Sequence, residues 1–278
     1  MLIGFRELLD GCRATGSAAG AFTCYTLTTA AGVLRAADAH GAPVILLVGA
    51  GSYAAAGGPV LLPALRTAAE RASTPVCVQL DHASDRALIG RALEEGATAV
   101  MADGSRLQYD ANVALAQDVR ALAGRHGAGV EAELGHIEGG EDVAAATARG
   151  ALTDPDEAAG FVAATRADCL AVSIGNAHGH YASPPQLDWT LLARIRERVD
   201  VPLSLHGASG LSDDDLRRAV ALGISKVNVN TELRARLYAE LARRVPETAP
   251  GLRLLELEES LADAVAEVAG EKLRLLAA

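Results

Sequence analysis

Short runs of Val, Ile, Leu and Ala recur along the chain, and amphipathic stretches separate one run from the next. Most of these runs are continuous rather than alternating, which is typical of strands in a parallel sheet that is covered on both faces. The pattern predicts eight strands, at residues 21–25, 43–48, 75–80, 98–101, 129–134, 169–174, 202–206 and 224–229.

The stretches between the strands carry the signals of helix ends. Asp154 precedes Pro155 as a cap followed by proline at the first helical position, and Ser212 with Asp215 resembles a capping box. Eight strands that alternate with helices predict the α/β class and a single (βα)8 TIM barrel with additional C-terminal helices. We expect one domain over residues 1–278, with the barrel at about 18–245 and a helical extension at about 246–278. The predicted helices are 28–39, 59–71, 85–95, 110–125, 155–165, 188–199, 212–222, 231–244 and 252–275.

Composition narrows the possible partners and the compartment. The 278 residues carry a formal net charge of −10, which argues against nucleic acid and against an anionic membrane surface as partners. The four cysteines lie far apart without a CxxC pair, so a reducing cytoplasm is expected rather than a disulfide framework. Charges in the first eleven residues do not fit a signal peptide, and no apolar run is long enough to span a membrane. We therefore expect a cytoplasmic protein.

Three of the seven histidines fall at the ends of predicted strands. His82 follows the third strand, His178 follows the sixth, and His206 ends the seventh. The active sites of such barrels lie at the carboxyl ends of the strands. Three imidazoles that converge there would bind zinc and leave its fourth coordination position open. A histidine in an ordinary capped loop is the alternative for each one taken singly, but three on one rim favour a metal site.

Acidic residues accompany these histidines. Asp81 adjoins His82 and can serve either in proton transfer or in orienting a ligand histidine. Glu133 points toward the barrel mouth as a metal ligand, a ligand-orienting group or a member of a core ion pair. Asp103 has a similar position, although an Asp-Gly turn explains it as well. Glu141 lies on the long connection at 135–154, where it is either a mobile proton donor or a solvated loop acid.

The ends of strands 7 and 8 predict an anion site. The segments HGASG at 206–210 and NVNT at 228–231 each lead into a helix. Small residues let backbone N–H groups approach an anion, and Ser209 and Thr231 add hydroxyl donors. Phosphate sites in these barrels are often built after strands 7 and 8. Ordinary turn and cap chemistry is the alternative.

The chain has only two lysines, and this bears on any carbonyl chemistry. A Schiff-base aldolase needs a desolvated lysine in the barrel mouth. Lys226 is expected near the entrance of strand 8, at the end opposite the active site, and Lys272 lies in the last helix. A metal rather than an imine is therefore expected to activate a carbonyl.

These motifs resemble the class II, zinc-dependent ketose-bisphosphate aldolases, and most of all the tagatose-bisphosphate branch. The resemblance covers nearly the whole chain to about residue 240. The matching segments are QLDHASD at 79–85, VMADGS at 100–105, VEAELG at 130–135, TDPDEAAGFVAAT at 153–165, LAVSIGNAHG at 170–179 and LHGASGLSDDDLRRAVALGISKVNVNTEL at 205–233.

The resemblance implies specific roles for the matching residues. His82, His178 and His206 match the ligands of one zinc ion per subunit, and a monovalent cation is a further candidate cofactor. Asp81 matches the catalytic acid/base and Glu141 the mobile-loop glutamate that handles a proton. Glu133 matches a metal-site glutamate. The triose-phosphate-binding segments match Gly179, Gly207, Ala208, Ser209, Asn228, Val229, Asn230 and Thr231.

The implied reaction is reversible aldol cleavage of a ketose 1-phosphate or 1,6-bisphosphate in carbohydrate metabolism, glycolysis included. The products would be dihydroxyacetone phosphate and an aldehyde, and the assembly a homodimer or homotetramer. Thr23 in strand 1 and the segment LVGAG at 47–51 depart from the family pattern. They leave open the same mechanism on a deoxy, sulfo or otherwise modified ketose phosphate, or a sugar-phosphate binder without catalysis. Arg253 is a candidate for a second phosphate.

Overall fold

The computed structural model describes residues 1–55, 57–137, 150–179 and 185–277. Its eight parallel strands form a closed barrel in which each strand pairs with the next and β8 pairs with β1. The predicted fold class, a TIM barrel with additional C-terminal helices, is confirmed. The strands are β1 (Ala19–Thr23), β2 (Val44–Gly49), β3 (Val76–Ala83), β4 (Ala99–Ala102), β5 (Gly129–Leu134), β6 (Cys169–Val172), β7 (Leu203–Leu205) and β8 (Ile224–Val229).

Helices cover the outside of the barrel. The apolar residues of the strands alternate between the barrel interior and the layer under these helices, where most of the core lies. The helices are α1 (Phe5–Thr15), α2 (Leu27–His40), α3 (Ala50–Ala54), α4 (Gly58–Arg71), α5 (Arg86–Glu94), α6 (Tyr109–Gly124), α7 (Pro155–Thr165), α8 (Trp189–Arg198), α9 (Asp213–Ala221), α10 (Thr231–Thr248) and α11 (Leu254–Leu276), with a short 3₁₀ helix at Ala249–Gly251.

Helix α1 closes the end of the barrel where the strands begin. Its residues Phe5, Leu8, Leu9 and Cys12 recur at helical spacing and are buried. They pack against inward-facing strand residues such as Cys77. Burying a side chain like Phe5 stabilises the fold by about 1.5–3 kcal/mol. This helix is not among those predicted from the sequence, where the charges of the segment are used only to exclude a signal peptide.

The two helices after β8 complete the outer layer. Helix α11 packs against α2 so closely that a Cβ on Gly32 would lie 2.5 Å from the carbonyl oxygen of Ala262. Ion pairs from Arg35 to Glu259 and Asp263 join the same two helices at the surface. Among the residues that the structure describes, no helix combines the length and the apolar character that crossing a membrane requires.

Candidate active site and metal centre

The three histidines meet at the mouth of the barrel. His82 lies on β3, His178 follows β6 and His206 follows β7. The ring centroids are 5.0 Å apart for His82 and His178, 4.8 Å for His82 and His206, and 5.9 Å for His178 and His206. One nitrogen from each ring lies within 4.8 Å of the others. The structure therefore brings together all three predicted ligands.

An irregularity in β3 aims two consecutive side chains into the mouth. The register between β3 and β4 shifts between Leu80 and Ala83, and His82 has a φ of 49°. A left-handed backbone costs a non-glycine residue about 1–2 kcal/mol. In a regular strand Asp81 and His82 would point to opposite faces. Here Asp81 contacts Asn228 of β8 while His82 contacts His206, so both side chains serve the site.

Two carboxylates fix the orientation of two histidine rings. Asp103 Oδ2 lies 2.8 Å from His82 Nδ1, and Glu131 Oε1 lies 2.8 Å from His206 Nε2. Burial alone would raise the pKa of both acids. Hydrogen bonds from His82 and Ser105 nevertheless hold the pKa of Asp103 well below its usual range. Lys226 and His206 do the same for the pKa of Glu131. Both groups are therefore ionised acceptors.

The ring nitrogens of His82 and His206 that face each other then require a positively charged group between them. His82 Nε2 and His206 Nδ1 lie 2.9 Å apart. When the outer nitrogens carry protons toward the carboxylates, both inner nitrogens present lone pairs. A proton or a metal ion reconciles them, and imidazoles oriented by carboxylates are the usual ligands of Zn²⁺. Burial and the neighbouring His82 and His206 hold the pKa of His178 well below its usual value, so the ring of His178 is neutral. The donor set fits a divalent metal.

Glu133 forms a second group of donors with His82 and Asp103, again with atoms within 4.8 Å of one another. The carboxylate is buried, and its Oε1 accepts a hydrogen bond from the backbone N–H of Ile137 at 3.1 Å. Within the described residues its Oε2 has no hydrogen-bond partner. Burial, and secondarily the charge of Asp103, raise the pKa of Glu133 to about 8. A cation beside Glu133 would satisfy the orphaned oxygen.

Lys226 does not lie where the sequence analysis placed it. Its side chain is fully buried inside the barrel, with Nζ 2.8 Å from Glu131 Oε2 and 2.6 Å from Asn228 Oδ1. The expected position at the strand entrance is wrong because alternate residues of β8 face inward, which places Lys226 directly below Asn228. Burial would lower the pKa of Lys226, but Glu131 and Asp81 outweigh it and the pKa is raised. A charged ammonium cannot act as an imine-forming amine.

The predicted phosphate-binding residues line a small cavity beside His178. Gly207 has a φ of 63°, and a Cβ there would lie 2.1 Å from the carbonyl oxygen of Ala177. Helix α10 begins at Thr231, which lines this cavity, so the N-terminus of the helix adjoins it, and helix N-termini favour anions. The side chain of Val229 packs in the core instead. The residues that line the cavity are His178, Gly179, Gly207, Ala208, Ser209, Asn228, Asn230 and Thr231.

Two residues that support the site, Asn176 and Glu131, are not predicted from the sequence. Asn176 is buried, donates to the carbonyl oxygen of His206 at 3.0 Å and accepts from the N–H of Ile174 at 2.8 Å. It thereby ties the end of β6 to the end of β7. Glu131 could have been found, because it shares the inward face of β5 with Glu133, two residues away. Two acids on one face of a buried strand are costly unless partners are present.

Two further expectations have different outcomes. Glu141 falls within residues 138–149, outside the described residues, so its role stays a prediction. Arg253 is half-exposed, with Nη1 3.2 Å from Glu256 at the start of α11, and it lines no described cavity of the site.

A larger cavity of about 490 Å³ adjoins the phosphate-site residues. Tyr25 joins the two, since it lines the larger cavity while its hydroxyl donates to Asn230 Oδ1 at 3.1 Å. Charged groups of both signs are present there. The cavity is lined by Tyr25, Thr26, Thr28, Thr29, Arg234, Leu237, Tyr238, Leu241, Glu258 and Leu261.

Comparisons with known proteins show the family to which the chain belongs. The family profile described as "Fructose-bisphosphate aldolase class-II" matches residues 4–278. The chain is 44% identical over 234 residues to the "D-tagatose-1,6-bisphosphate aldolase subunit GatY" of Klebsiella oxytoca, which covers 84% of this chain and 82% of that protein. It is 38% identical over 244 residues to YdjI of Escherichia coli K12, covering 88% of this chain and 86% of that one.

Solved structures show the same relationship. The crystal structure of the YdjI aldolase from Escherichia coli K12 superposes with a TM-score of 0.88 and 33% identity, over 99% of this chain and 97% of that one. A putative fructose-1,6-bisphosphate aldolase from Coccidioides immitis gives a TM-score of 0.88 and 30% identity, over 97% and 94% of the two chains. The chain therefore belongs to the class II fructose-bisphosphate aldolase family of carbon–carbon lyases.

Proposed function

We propose that this protein catalyses metal-dependent, reversible aldol cleavage of a ketose 1-phosphate or 1,6-bisphosphate. The products are dihydroxyacetone phosphate and an aldehyde, which is glyceraldehyde 3-phosphate if the substrate is fructose or tagatose bisphosphate. One observation carries the proposal: the three histidines, Asp81 and the glycine-lined cavity of strands 7 and 8 meet at one barrel mouth. We further propose a cytoplasmic homodimer or homotetramer.

His82, His178 and His206 would hold the metal, one Zn²⁺ per subunit, with Glu133 as a neighbouring carboxylate. When bound, the metal supplies Lewis-acid stabilisation of the charge that develops on the carbonyl side of the substrate. Asp103 and Glu131 keep the outer ring nitrogens of His82 and His206 protonated, so that the inner nitrogens present lone pairs. This orientation is set before a substrate arrives.

Asp81 is proposed to take the proton from the C4 hydroxyl during cleavage and to return it to the aldehyde oxygen in the reverse direction. Its side chain is buried, and Asn228 Nδ2 donates to its Oδ2 at 3.1 Å. A general base works only within hydrogen-bond reach of the proton it moves. The contact with Asn228 keeps the carboxylate in the mouth. Glu141 is proposed to exchange the proton at the triose carbon.

The phosphate is proposed to lie in the small cavity at the start of α10. Glycine at 207 lets the backbone approach closely, while the hydroxyls of Ser209 and Thr231 and the helix N-terminus supply donors. A substrate that is anchored there presents its carbonyl end to the histidines, because His178 lines the same cavity. The proposed phosphate-binding set is Gly179, Gly207, Ala208, Ser209, Asn228, Asn230 and Thr231.

The aldehyde half is proposed to extend into the larger cavity past Tyr25. Arg234 gives that cavity a positive group for an anionic substrate end, and Glu258 gives it an acceptor. A modified ketose phosphate is a second candidate, because Gly49 pairs in register with Asp81 and leaves open space beside it. A bulkier or differently substituted aldehyde carbon could occupy that space.

The test is cleavage of a panel of ketose phosphates with the wild type and two variants at stoichiometric zinc. We expect His82→Ala to lose bound zinc and activity, and Asp81→Ala to keep zinc but lose cleavage by at least 100-fold, the usual contribution of a general base. Full activity of His82→Ala would overturn the ligand assignment. An unchanged rate in Asp81→Ala would overturn the acid/base assignment.

A further inference from the structure

A charged network lies inside the barrel, one layer below the site. It consists of Gln79 on β3, Glu131 on β5, and Lys226 and Asn228 on β8, all buried. Charges at such depth are tolerated only when they are paired and their remaining hydrogen-bonding capacity is satisfied. Glu131 acts in the proposed cleavage only through the ring of His206, and Lys226 has no role there, so the presence of a buried lysine needs its own explanation.

Glu131 is held by three donors. Its Oε1 accepts from His206 Nε2 at 2.8 Å, while its Oε2 accepts from Lys226 Nζ at 2.8 Å and from Gln79 Nε2 at 2.7 Å. Donors on both oxygens leave the carboxylate a single orientation. His206 is thereby held with its Nε2–H toward Glu131 and its Nδ1 toward the other histidines. A second partner of this kind usually accounts for 10–100-fold in metal affinity.

Lys226 has a second contact that determines how Asn228 is turned. Its ammonium donates to Asn228 Oδ1 at 2.6 Å, which places the amide nitrogen on the opposite side. That nitrogen donates to Asp81 Oδ2 at 3.1 Å and to His206 Nδ1 at 3.3 Å. An ammonium group can only donate hydrogen bonds. If the Asn228 amide were flipped, its NH2 group would face Lys226 and find no acceptor there. One cation therefore orients groups on both the metal side and the proton-transfer side of the site.

We propose that Lys226 and Glu131 are positioning residues: the buried pair orients His206 for the metal through Glu131, and orients Asp81 for the substrate through Asn228. The effect on Asp81 rests on the proposed function. The effect on His206 needs only metal binding.

A purely structural ion pair is the competing explanation, and a double variant separates the two. Replacing a buried pair by neutral side chains of similar size often costs no stability, whereas removing one partner leaves an uncompensated charge. In Glu131→Gln/Lys226→Met both charges of the pair are removed together. Gln79 can then turn its amide, whose Oε1 has no hydrogen-bond partner among the described residues, to accept from the new glutamine. The double variant is therefore expected to fold with a Tm near that of the wild type.

The experiment measures zinc affinity by competition with a chromophoric chelator, and the visible absorption of the Co²⁺-substituted protein, without any substrate. We expect the double variant to bind zinc 10–100-fold more weakly than the wild type and to show an altered Co²⁺ spectrum, because the carboxylate on His206 is gone. A double variant whose zinc dissociation constant stays within twofold of the wild type would overturn the proposal. Lys226→Met alone is expected to lose more stability than the double variant.

A matched control lies at the other end of the barrel. Asp168 is a buried carboxylate that Arg120 contacts at 2.9 Å, and it also accepts from the backbone N–H of Val130. We expect Asp168→Asn to lower the Tm without changing zinc affinity. If it weakened zinc binding as much as the double variant, the effect on metal binding would be nonspecific and the proposal would fail.

A measurement of catalytic activity distinguishes a failure of this proposal from a failure of the proposed function. At saturating zinc, the double variant is expected to cleave a ketose bisphosphate at least tenfold more slowly than the wild type, because Asn228 has lost the group that orients it toward Asp81. Unchanged cleavage would overturn the effect on Asp81. A wild type that binds zinc but neither cleaves a ketose phosphate nor exchanges the proton of dihydroxyacetone phosphate would overturn the proposed function, while the metal-affinity result would still decide the role of Glu131.

Discussion

Adding one methyl group at Gly207 should damage the phosphate site and the fold together. A Cβ at this position would lie 2.1 Å from the carbonyl oxygen of Ala177 and 2.6 Å from its carbon. Because a Cβ needs more than about 3 Å from backbone atoms, the two segments must separate by about 1 Å. The φ of 63° adds about 1–2 kcal/mol for any L side chain. Overpacking typically adds about 1–3 kcal/mol.

Gly207→Ala should therefore lower the free energy of unfolding by about 2–5 kcal/mol, which corresponds to a fall in Tm of about 2 °C per kcal/mol for a chain of this size. Thermal unfolding of the metal-free protein measures this directly. Because Gly207 lines the proposed phosphate cavity, the KM for dihydroxyacetone phosphate should also rise.

Gly11→Ala is the matched control, since Gly11 lies within α1 and a Cβ there meets no atom within 4 Å. This substitution should stabilise the helix by about 0.5–1 kcal/mol and leave the KM unchanged. A Gly207→Ala protein with wild-type Tm and wild-type KM would refute the reasoning, because the carbonyl of Ala177 could then not be as close as the structure has it.

Three further predictions address the charged groups. Asp103→Asn should weaken zinc binding by about 10–100-fold in a chelator competition, because His82 loses the carboxylate at its Nδ1, and unchanged affinity would contradict that role. The metal-free protein should lose stability as the pH rises from about 4.5 to 8, because the raised pKa of Glu133, about 8, favours the folded state only while this acid is protonated. Denaturant unfolding at several pH values should show this loss in the wild type and a smaller one in Glu133→Gln; identical profiles would count against it. Arg234→Met should raise the KM for a bisphosphate ketose but leave proton exchange into dihydroxyacetone phosphate unchanged, because Arg234 lines the cavity proposed for the aldehyde half. A loss of exchange would show instead that Arg234 contacts the triose phosphate half of the substrate.

The barrel could be predicted because most strands are largely apolar runs and amphipathic helical stretches alternate with them. The three histidines could be predicted because the carboxyl ends of parallel strands share one rim. The strand bounds were less accurate: the predicted third strand ended at residue 80, whereas β3 continues through Asp81 and His82 to Ala83. Polar residues such as Asp81 and His82 usually mark the end of a strand. The local sequence gives no sign of the positive φ at His82 that turns both side chains into the barrel mouth.

The position of Lys226 was wrong for a related reason. Lysine is almost never fully buried without a partner, so an isolated lysine in a strand suggests the solvent-facing end. Its partner, Glu131, comes from β5, nearly a hundred residues earlier in the chain, and only the closed barrel brings them to 2.8 Å. Period-two alternation in β8 does contain the information, since Lys226 and Asn228 share one face. The pairing of buried charges that lie far apart in the chain therefore cannot be predicted from the local sequence pattern.

Proton exchange into dihydroxyacetone phosphate in heavy water, followed by NMR, tests most directly whether the three histidines hold a metal that activates a triose phosphate. The zinc-loaded protein is compared with the same protein after chelation and after zinc is restored. We expect stereospecific exchange that stops with the chelator and returns with zinc, whatever the aldehyde partner. Exchange that continues without metal, or no exchange with zinc confirmed at one ion per chain, would contradict it.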